Sequence, residues 1–109
     1  MGKPENHVEK YLLDRAKEEN FICYKFVSPG NNGVPDRIVL GNNLTVFIET
    51  KAENEKPRPI QKKTINDMID KGAFVYVIDN RDDIDKILRC IKRGKMPKPK
   101  KLRLEKILL

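Results

Sequence analysis

The sequence has few of the residues and segments that several common functions require. Tryptophan is absent and aromatic residues make up only 6% of the 109 positions, so no aromatic platform is available for stacking single-stranded bases. No apolar run approaches the roughly 20 residues of a membrane-spanning helix, and the polar N-terminus lacks the pattern of a secretory signal. Neither a phosphate-binding loop nor a dinucleotide-binding glycine fingerprint occurs. We therefore expect one small soluble domain that does not associate with a membrane.

Cysteine and histidine are also scarce. The two cysteines, Cys23 and Cys90, lie in apolar segments without the spacing of a metal site, so we predict reduced core thiols and, from them, a cytoplasmic location. The only histidine, His7, lies close to the N-terminus. A residue in that position is more often a surface residue than a general base.

Positive charge is concentrated at the C-terminal end of the sequence. The formal net charge is +7, and residues 92–109 contain eight Lys or Arg residues against one acid, Glu105. The remaining residues, 1–91, carry fifteen charges of each sign. A basic segment of this kind suits a polyanion, nucleic acid first, although it can also be a solvated tail that keeps the protein soluble.

Hydrophobic periodicity predicts three helices and four strands. The helices are expected over residues 5–20, 59–71 and 81–93, and the strands over residues 21–27, 36–40, 44–51 and 73–78. The inward stripes of the helices are Val8, Leu12 and Arg15 or Ala16; Ile60, Ile65, Met68 and Ile69; and Ile84, Ile87, Leu88 and Ile91. The last strand is almost entirely apolar, as expected for a strand that is covered on both faces.

The connections between these elements support the same assignment. Gly41, Asn42 and Asn43 predict a hairpin because Gly and Asn accept positive φ, and Pro59 suits the first turn of a helix. The resulting order is helix, strand, strand, strand, helix, strand, helix. It predicts an α/β domain with helices packed on a central sheet, in which residues 44–78 form a right-handed parallel crossover.

Two acids and a lysine coincide at the ends of two neighbouring strands. Glu49 and Lys51 are two residues apart and so point to the same face of one strand, and the hairpin can bring Asp36 beside them. Two carboxylates suit Mg²⁺, which prefers oxygen ligands and keeps several waters, and the main-chain carbonyl of Thr50 is a further ligand candidate. Lys51 could orient a metal-bound water or neutralise a phosphate.

A simpler explanation of these three residues also exists. Asp at the start of a strand is often a turn residue, and Glu-x-Lys on a strand is often a solvated face. Two features favour the site. The strand that leads to Glu49 is apolar through Phe47 and Ile48, as for a central strand, and the glycine-rich loop before Asp36 allows backbone to approach a ligand closely.

Taken in order, these segments resemble a known family. Residues Tyr24-Lys25-Phe26-Val27-Ser28-Pro29-Gly30, Gly33-Val34-Pro35-Asp36, Phe47-Ile48-Glu49-Thr50-Lys51 and Pro57-Arg58-Pro59-Ile60-Gln61 look like the virus-type replication-repair nucleases (VRR-NUC) of the PD-(D/E)XK superfamily. The resemblance covers roughly residues 8–87. It implies a restriction-endonuclease-like α-β-β-β-α-β core in which a central mixed sheet is flanked by helices.

The resemblance also implies roles for individual residues. Asp36 and Glu49 would bind the metal, Lys51 would be the catalytic lysine, and Gln61 would lie near the metal or the scissile phosphate. An acid on the first helix belongs to the same pattern; Glu9 is our choice and Glu5 the alternative, because the two are four residues apart on one face. Residues that could contact phosphates near this site are Lys25, Ser28, Arg37, Arg58, Lys62 and Lys63.

The implied activity is that of a Mg²⁺- or Mn²⁺-dependent endonuclease that cuts branched DNA such as four-way junctions. By the same resemblance the protein would be a homodimer, in the cytoplasm of a bacterial host if a phage encodes it. Residues 1–94 would form the nuclease domain, and residues 95–109 a basic and apolar tail that serves the dimer or DNA. A non-catalytic DNA-binding module on the same fold and a small regulatory protein with a basic docking tail are the alternatives.

Overall fold

In the computed structural model of the protein, residues 6–104 are described. They contain the elements α1 (His7–Glu18), β1 (Ile22–Lys25), β2 (Arg37–Gly41), β3 (Leu44–Thr50), α2 (Pro59–Asp70), β4 (Phe74–Ile78) and α3 (Arg81–Arg93). This is the predicted order, with small differences at the ends of elements. The first strand, for example, is shorter than predicted, although the Phe26 amide still donates to the carbonyl of Asp36 at 2.8 Å.

The four strands form one mixed sheet in the order β1-β2-β3-β4. β1 pairs with β2 and β2 with β3 in antiparallel fashion, whereas β3 and β4 are parallel. The predicted mixed sheet and parallel crossover are therefore confirmed, and the hand of the crossover stays a prediction. Because β3 has a partner strand on each side, Glu49 and Thr50 at its end lie in the interior of the sheet and not at its edge.

A tight hairpin joins β2 to β3 and also holds the last helix. Asn42 and Asn43 have φ values of 49° and 63°, the pair of positive values that a two-residue type I′ turn requires. The side-chain amide of Asn42 donates to the carbonyl oxygens of Ile91 at 2.9 Å and Lys92 at 3.2 Å. The turn thus caps the C-terminus of α3, which fixes that helix against the far end of the sheet.

The main core lies between the sheet and the pair α1 and α3. All four predicted positions of α3 are buried, as are the expected positions on α1, and they meet the inward residues of β2 and β3; the set comprises Val8, Leu12, Ala16, Val39, Val46, Ile48, Ile84, Ile87, Leu88 and Ile91. The two helices are also joined at their surface. Asp85 accepts hydrogen bonds from the Tyr11 hydroxyl at 2.8 Å and from Arg15 Nε at 3.1 Å.

α2 packs beside β4, where Ile65 and Val75 are buried. Here the predicted stripe needs a correction: Ile60 is 44% exposed, and Met68 and Ile69 are only half-buried. Successive helical residues are rotated by about 100°, and here the helix turns Gln61 inward and leaves Ile60 at the surface. The first turn of α2 thus serves a polar site instead of the apolar core.

Residues 95–104, termed the C-terminal strap, are docked against the domain. The side chain of Asn66 forms two hydrogen bonds with the backbone of Leu102, at 2.8 Å and 2.7 Å. The Tyr76 hydroxyl donates to the carbonyl of Pro97, and Lys101 pairs with Asp70 at 2.6 Å. The predicted boundary at residue 94 is the end of α3, but packed structure continues beyond it. The remaining apolar tail residues Ile107, Leu108 and Leu109 lie outside the described residues.

Both cysteines are free thiols, as predicted. Burial raises the pKa of Cys23 to about 11, which makes its thiolate, the reactive form, scarce at neutral pH. Within residues 6–104 there is no helix with the length and apolar character needed to cross a membrane.

The loop between β1 and β2 is pinned to the start of α2. The Thr64 hydroxyl donates to the carbonyl of Asn32 at 2.8 Å, and Gly33, with φ at 87°, lies against the backbone of Ile60. A Cβ added to Gly33 would come within 2.6 Å of the Ile60 carbonyl oxygen. Glycine at this position therefore allows the loop to approach α2 closely. This approach places Asp36 near the helix that carries Gln61.

We predict that Gly33→Ala lowers the free energy of unfolding by about 2–4 kcal/mol, because a left-handed backbone and a backbone clash act together. Gly30→Ala is the matched control, since Gly30 has φ at 83° but nothing within 4 Å of its added Cβ; it should cost about 1 kcal/mol. Urea unfolding of both variants tests this difference. Equal losses would show that the contact with α2 has no energetic weight.

Candidate active site

Glu49 is the centre of a buried polar cluster at the end of β3. Its side chain is only 5% exposed. One carboxylate oxygen accepts the Asp36 backbone amide at 3.1 Å, and the other accepts Gln61 Nε2 at 2.9 Å and lies 3.0 Å from Lys51 Nζ. Glu49 at the end of β3 is therefore linked to Asp36, just before β2, and to Gln61 on α2. The hairpin argument predicts the first of these neighbours, and the second was implied only by the family resemblance.

Gln61 holds the lysine and the glutamate together. Its side-chain oxygen accepts from Lys51 Nζ at 3.0 Å and from the Arg58 backbone amide at 2.9 Å, while its nitrogen donates to Glu49. As the third residue of α2, Gln61 satisfies a helix-terminal amide and reaches the cluster at once. This fixes the ammonium group of Lys51, which is 9% exposed, relative to the carboxylate.

Asp36 is held by Thr50. One oxygen of its carboxylate accepts the Thr50 backbone amide at 3.1 Å, and the other accepts the Thr50 hydroxyl at 2.8 Å. Sequence reasoning considered only the main-chain carbonyl of Thr50, as a possible metal ligand, and missed this contact of its hydroxyl. The available signal was a hydroxyl-bearing residue at the end of a strand, directly after Glu49.

Glu9 lies behind this cluster on α1 and is 5% exposed. It pairs with Arg37 Nε at 2.9 Å, and Asn6 caps its helix through the Glu9 amide. The alternative helix acid, Glu5, lies outside the described residues. The side chain of Arg37 is only 12% exposed, and its Nε is paired with Glu9, an internal role that the sequence did not indicate; its phosphate contact stays a prediction.

The other predicted phosphate contacts lie around the cluster. Lys25 is exposed on β1 opposite Arg37, and Arg58 is exposed at the start of α2. Lys62 is half-buried on the first turn of α2, while Lys63 is exposed and pairs with Asp67 at 3.1 Å. The Ser28 hydroxyl accepts from Asn31 at 3.1 Å, which is the arrangement of a turn residue. Contact of these residues with DNA stays a prediction.

The electrostatics of the cluster favour a cation. Burial and the neighbouring negative charge of Glu49 raise the pKa of Asp36 to about 7, and Glu9 adds to this effect, whereas the hydrogen bonds from Thr50 oppose it. Two carboxylates that resist simultaneous ionisation are a suitable pair for a divalent metal. Among the described residues no group of three Asp, Glu, His or Cys side chains forms a metal cluster. Mg²⁺ needs only one or two protein carboxylates, and Asp36 and Glu49 would supply that number.

Comparison with solved structures places the fold among known proteins. One solved chain, described as a VRR_NUC domain, has a TM-score of 0.70 and 30% sequence identity, with 76% of this chain and 91% of that chain covered. The chain belongs to the VRR_NUC family. A second chain, described as a VRR_NUC domain protein, covers 94% of this chain and 99% of itself with a TM-score of 0.66; at 21% identity it supports the fold alone.

A phage protein is related in sequence as well. The "Putative nuclease p44" of Acyrthosiphon pisum secondary endosymbiont phage 1 is 43% identical over 79 residues, which are 72% of this chain and 85% of the phage protein. No protein-family model matches the chain. Membership of the VRR_NUC family supports a nuclease as the coarse function and confirms the resemblance seen in the sequence.

We predict that Asp36→Asn stabilises the metal-free protein. Asparagine can keep both contacts with Thr50 but carries no charge next to Glu49. Because the folded-state pKa of Asp36 lies near 7, above its ordinary 3.8, the wild-type carboxylate costs stability increasingly from pH 4 to about pH 7. The gain from the substitution should therefore be absent near pH 4 and reach the order of 2 kcal/mol above pH 7, since part of the carboxyl stays in contact with water.

Urea unfolding in EDTA at pH values from 4 to 8 measures this difference. Thr50→Val is the comparison, because it removes the hydroxyl that holds Asp36 and leaves the acid charged, so it should destabilise. An Asp36→Asn protein that is less stable than wild type at pH 8 would contradict the proposed repulsion.

Proposed function

We propose that the protein is a Mg²⁺- or Mn²⁺-dependent endonuclease that hydrolyses phosphodiester bonds in branched DNA, including four-way junctions. The observation that carries the proposal is the arrangement around Glu49. The buried carboxylate of Glu49 lies 3.0 Å from the ammonium group of Lys51 and accepts from Gln61 of α2. It also accepts the backbone amide of Asp36, and the carboxyl of Asp36 is held by Thr50, the residue next to Glu49. Membership of the VRR_NUC family and the name of the related phage protein support the same activity.

Asp36 and Glu49 are the residues that would hold the metal, together with the main-chain carbonyl of Thr50. A bound Mg²⁺ or Mn²⁺ would supply an activated water and offset the negative charge of the phosphate. The chain contributes the rigidity of the site. Thr50 fixes the side chain of Asp36, and Gln61 fixes that of Glu49.

Lys51 supplies the fixed positive charge. Its ammonium group is anchored by Glu49 and Gln61, each at 3.0 Å, so little reorganisation is needed when charge develops on a phosphate. The nearby Arg37 is neutralised by Glu9. Lys51 is thus the cation in direct contact with Glu49, one of the two proposed metal ligands. The resemblance assigns it the role of the catalytic lysine.

DNA is the proposed substrate, and the branched class follows from the resemblance. A two-fold dimer would present two sites to strands of opposite polarity, as symmetric cleavage of a junction requires. The strap was one candidate for the dimer contact, but Leu102 is bonded to Asn66 of its own chain. The edge strand β1 is a better candidate, because Ile22 and Tyr24 are 45% and 60% exposed there.

A non-catalytic DNA-binding module on the same fold is the second candidate. It would require loss of an acid or of the lysine. Here both acids and the lysine are present and joined by hydrogen bonds, so a catalytic role is favoured.

We predict that Lys51→Ala reduces cleavage about 100- to 1,000-fold at saturating DNA, because a preorganised cation next to the scissile phosphate is removed. Labelled duplex, flap and four-way-junction DNA should be incubated with Mg²⁺, with Mn²⁺ and with EDTA, and the strands separated on a gel. Lys17→Ala is the control, since Lys17 is an exposed lysine on α1. Wild-type rates in the Lys51→Ala protein, or cleavage in EDTA, would rule out the mechanism.

We also predict a dimer that depends on β1. Tyr24→Lys should weaken self-association by about tenfold or more, because it places a charge in an apolar contact. Light scattering across a concentration series measures the mass. Lys63→Gln, on the surface of α2, is the control. A wild-type monomer at all concentrations, or an unchanged dimer in Tyr24→Lys, would exclude this interface.

A further inference from the structure

The excess positive charge belongs to one continuous part of the chain. Residues 86–104 contain nine Lys or Arg residues and no acid, whereas the rest of the chain carries fourteen cations against sixteen acids. These nine residues lie in the second half of α3 and in the strap. Three of them pair with acids, since Lys86 contacts Asp83, Lys92 contacts Glu19 and Lys101 contacts Asp70. Within residues 6–104 the other six form no ion pair; they are Arg89, Arg93, Lys95, Lys98, Lys100 and Arg103.

The strap holds its cations in fixed positions. Met96, Pro99 and Leu102 are half-buried, while the residues between them are exposed. This three-residue period is that of a polyproline II segment, which has three residues per turn and little conformational freedom. Since Asn66 and Tyr76 anchor the same segment, Lys98 and Lys100 are displayed from a rigid support.

A groove of about 690 Å³ separates the strap from α3. Its floor includes Val75 and Val77 of β4, the strand that has a partner on one side only. One wall carries Arg89 and Arg93, which lie four residues apart on one face of α3, and the other carries Lys98 and Lys100; all four line the groove. Apart from Asp83 at one end, the charged residues that line the groove are cations, and a cleft of this kind with an apolar floor concentrates the electrostatic field on a bound anion.

We propose that this groove between α3 and the C-terminal strap binds the phosphate backbone of a duplex arm of the DNA, at a distance from the scissile bond. The inference rests on the proposed nuclease function for the identity of the polyanion. The groove and the candidate active site share the end of β4, because the carbonyl of Ile78 accepts the Lys51 backbone amide at 2.9 Å. From there α3 extends for 13 residues, or about 20 Å, which corresponds to about six base pairs.

The positions of the acids indicate which end of the groove a DNA arm would contact. Asp82 and Asp83 lie on the first turn of α3, at the end nearer the active site, and Asp83 lines the groove. The unpaired cations lie at the opposite end. A DNA arm would therefore contact the groove mainly beyond the first few base pairs, and short arms would gain little from it.

The experiment measures binding without turnover, in a Glu49→Gln background with Mg²⁺. Lys98→Gln/Lys100→Gln is compared with Lys10→Gln/Lys17→Gln, which removes two exposed lysines from α1. On a four-way junction with arms of about 15 base pairs, the groove variant should reduce the slope of log K against log salt by about two and raise the Kd about tenfold at about 0.1 M salt. With arms of about five base pairs the two variants should bind within about twofold of each other.

A second variant tests the rigid support without a change of charge. Asn66→Ala removes both hydrogen bonds to Leu102 and should raise the Kd about threefold for long arms while the salt slope stays the same. Equal salt slopes for the groove and α1 variants would overturn the proposal, as would equal losses for short and long arms. Binding of an acidic peptide in the groove, with DNA affinity unaffected by the lysine substitutions, would assign the groove to a protein partner instead.

The outcome is separable from that of the proposed function. If the wild-type protein cleaves junction DNA and the groove variants bind it normally, only the groove assignment fails. If the wild-type protein cleaves no DNA with either metal, the nuclease proposal fails, whatever the salt slopes are.

Discussion

The burial of one carboxylate, that of Glu49, organises the centre of the molecule. A buried charge is tolerated only when its oxygens are paired, and Glu49 meets this condition with Asp36, Gln61 and Lys51. Each partner comes from a different segment: Asp36 directly precedes β2, Gln61 is on the first turn of α2, and Lys51 directly follows β3. The fold must therefore bring these segments together. The loop between β1 and β2 contributes to this, because Gly33 lies against the backbone of Ile60 and the carbonyl of Asn32 accepts from the Thr64 hydroxyl.

The parts of this arrangement that could be predicted were those that depend on short periods in the sequence. Alternation along β3 put Glu49 and Lys51 on one face, the Asn42 and Asn43 turn set the strand pairing, and the spacing on α3 marked its four buried residues. These are local rules, because a strand repeats every two residues and a helix every 3.6. The family resemblance then supplied Gln61 and Glu9, which lie on separate helices and carry no periodic signal of their own.

What could not be predicted depends on which long side chain meets which partner. Arg37 resembled a surface cation, and only the packing of α1 reveals Glu9 as its partner. The role of the Thr50 hydroxyl depends on the direction of the Asp36 side chain. The strap was expected to be part of a basic and apolar tail, and nothing in its sequence indicates that it docks on its own domain. Its anchor, Asn66, lies 36 residues away from Leu102, and no sequence period connects residues at that distance.

Charge is divided between two places, and their proposed functions explain the division. At the candidate active site, burial and repulsion from Glu49 and Glu9 raise the pKa of Asp36 to about 7, which makes the metal-free site a source of instability. A cation relieves that repulsion, but the same acids repel the phosphates of DNA. Of the two cations held among these acids, Arg37 is paired with Glu9, and Lys51, the proposed catalytic cation, is paired with Glu49. In the proposed nuclease, attraction for a DNA arm would therefore come from the unpaired cations of α3 and the strap. Because interactions between exposed charges decay over about 8–10 Å in physiological salt, these cations would oppose a bound metal little.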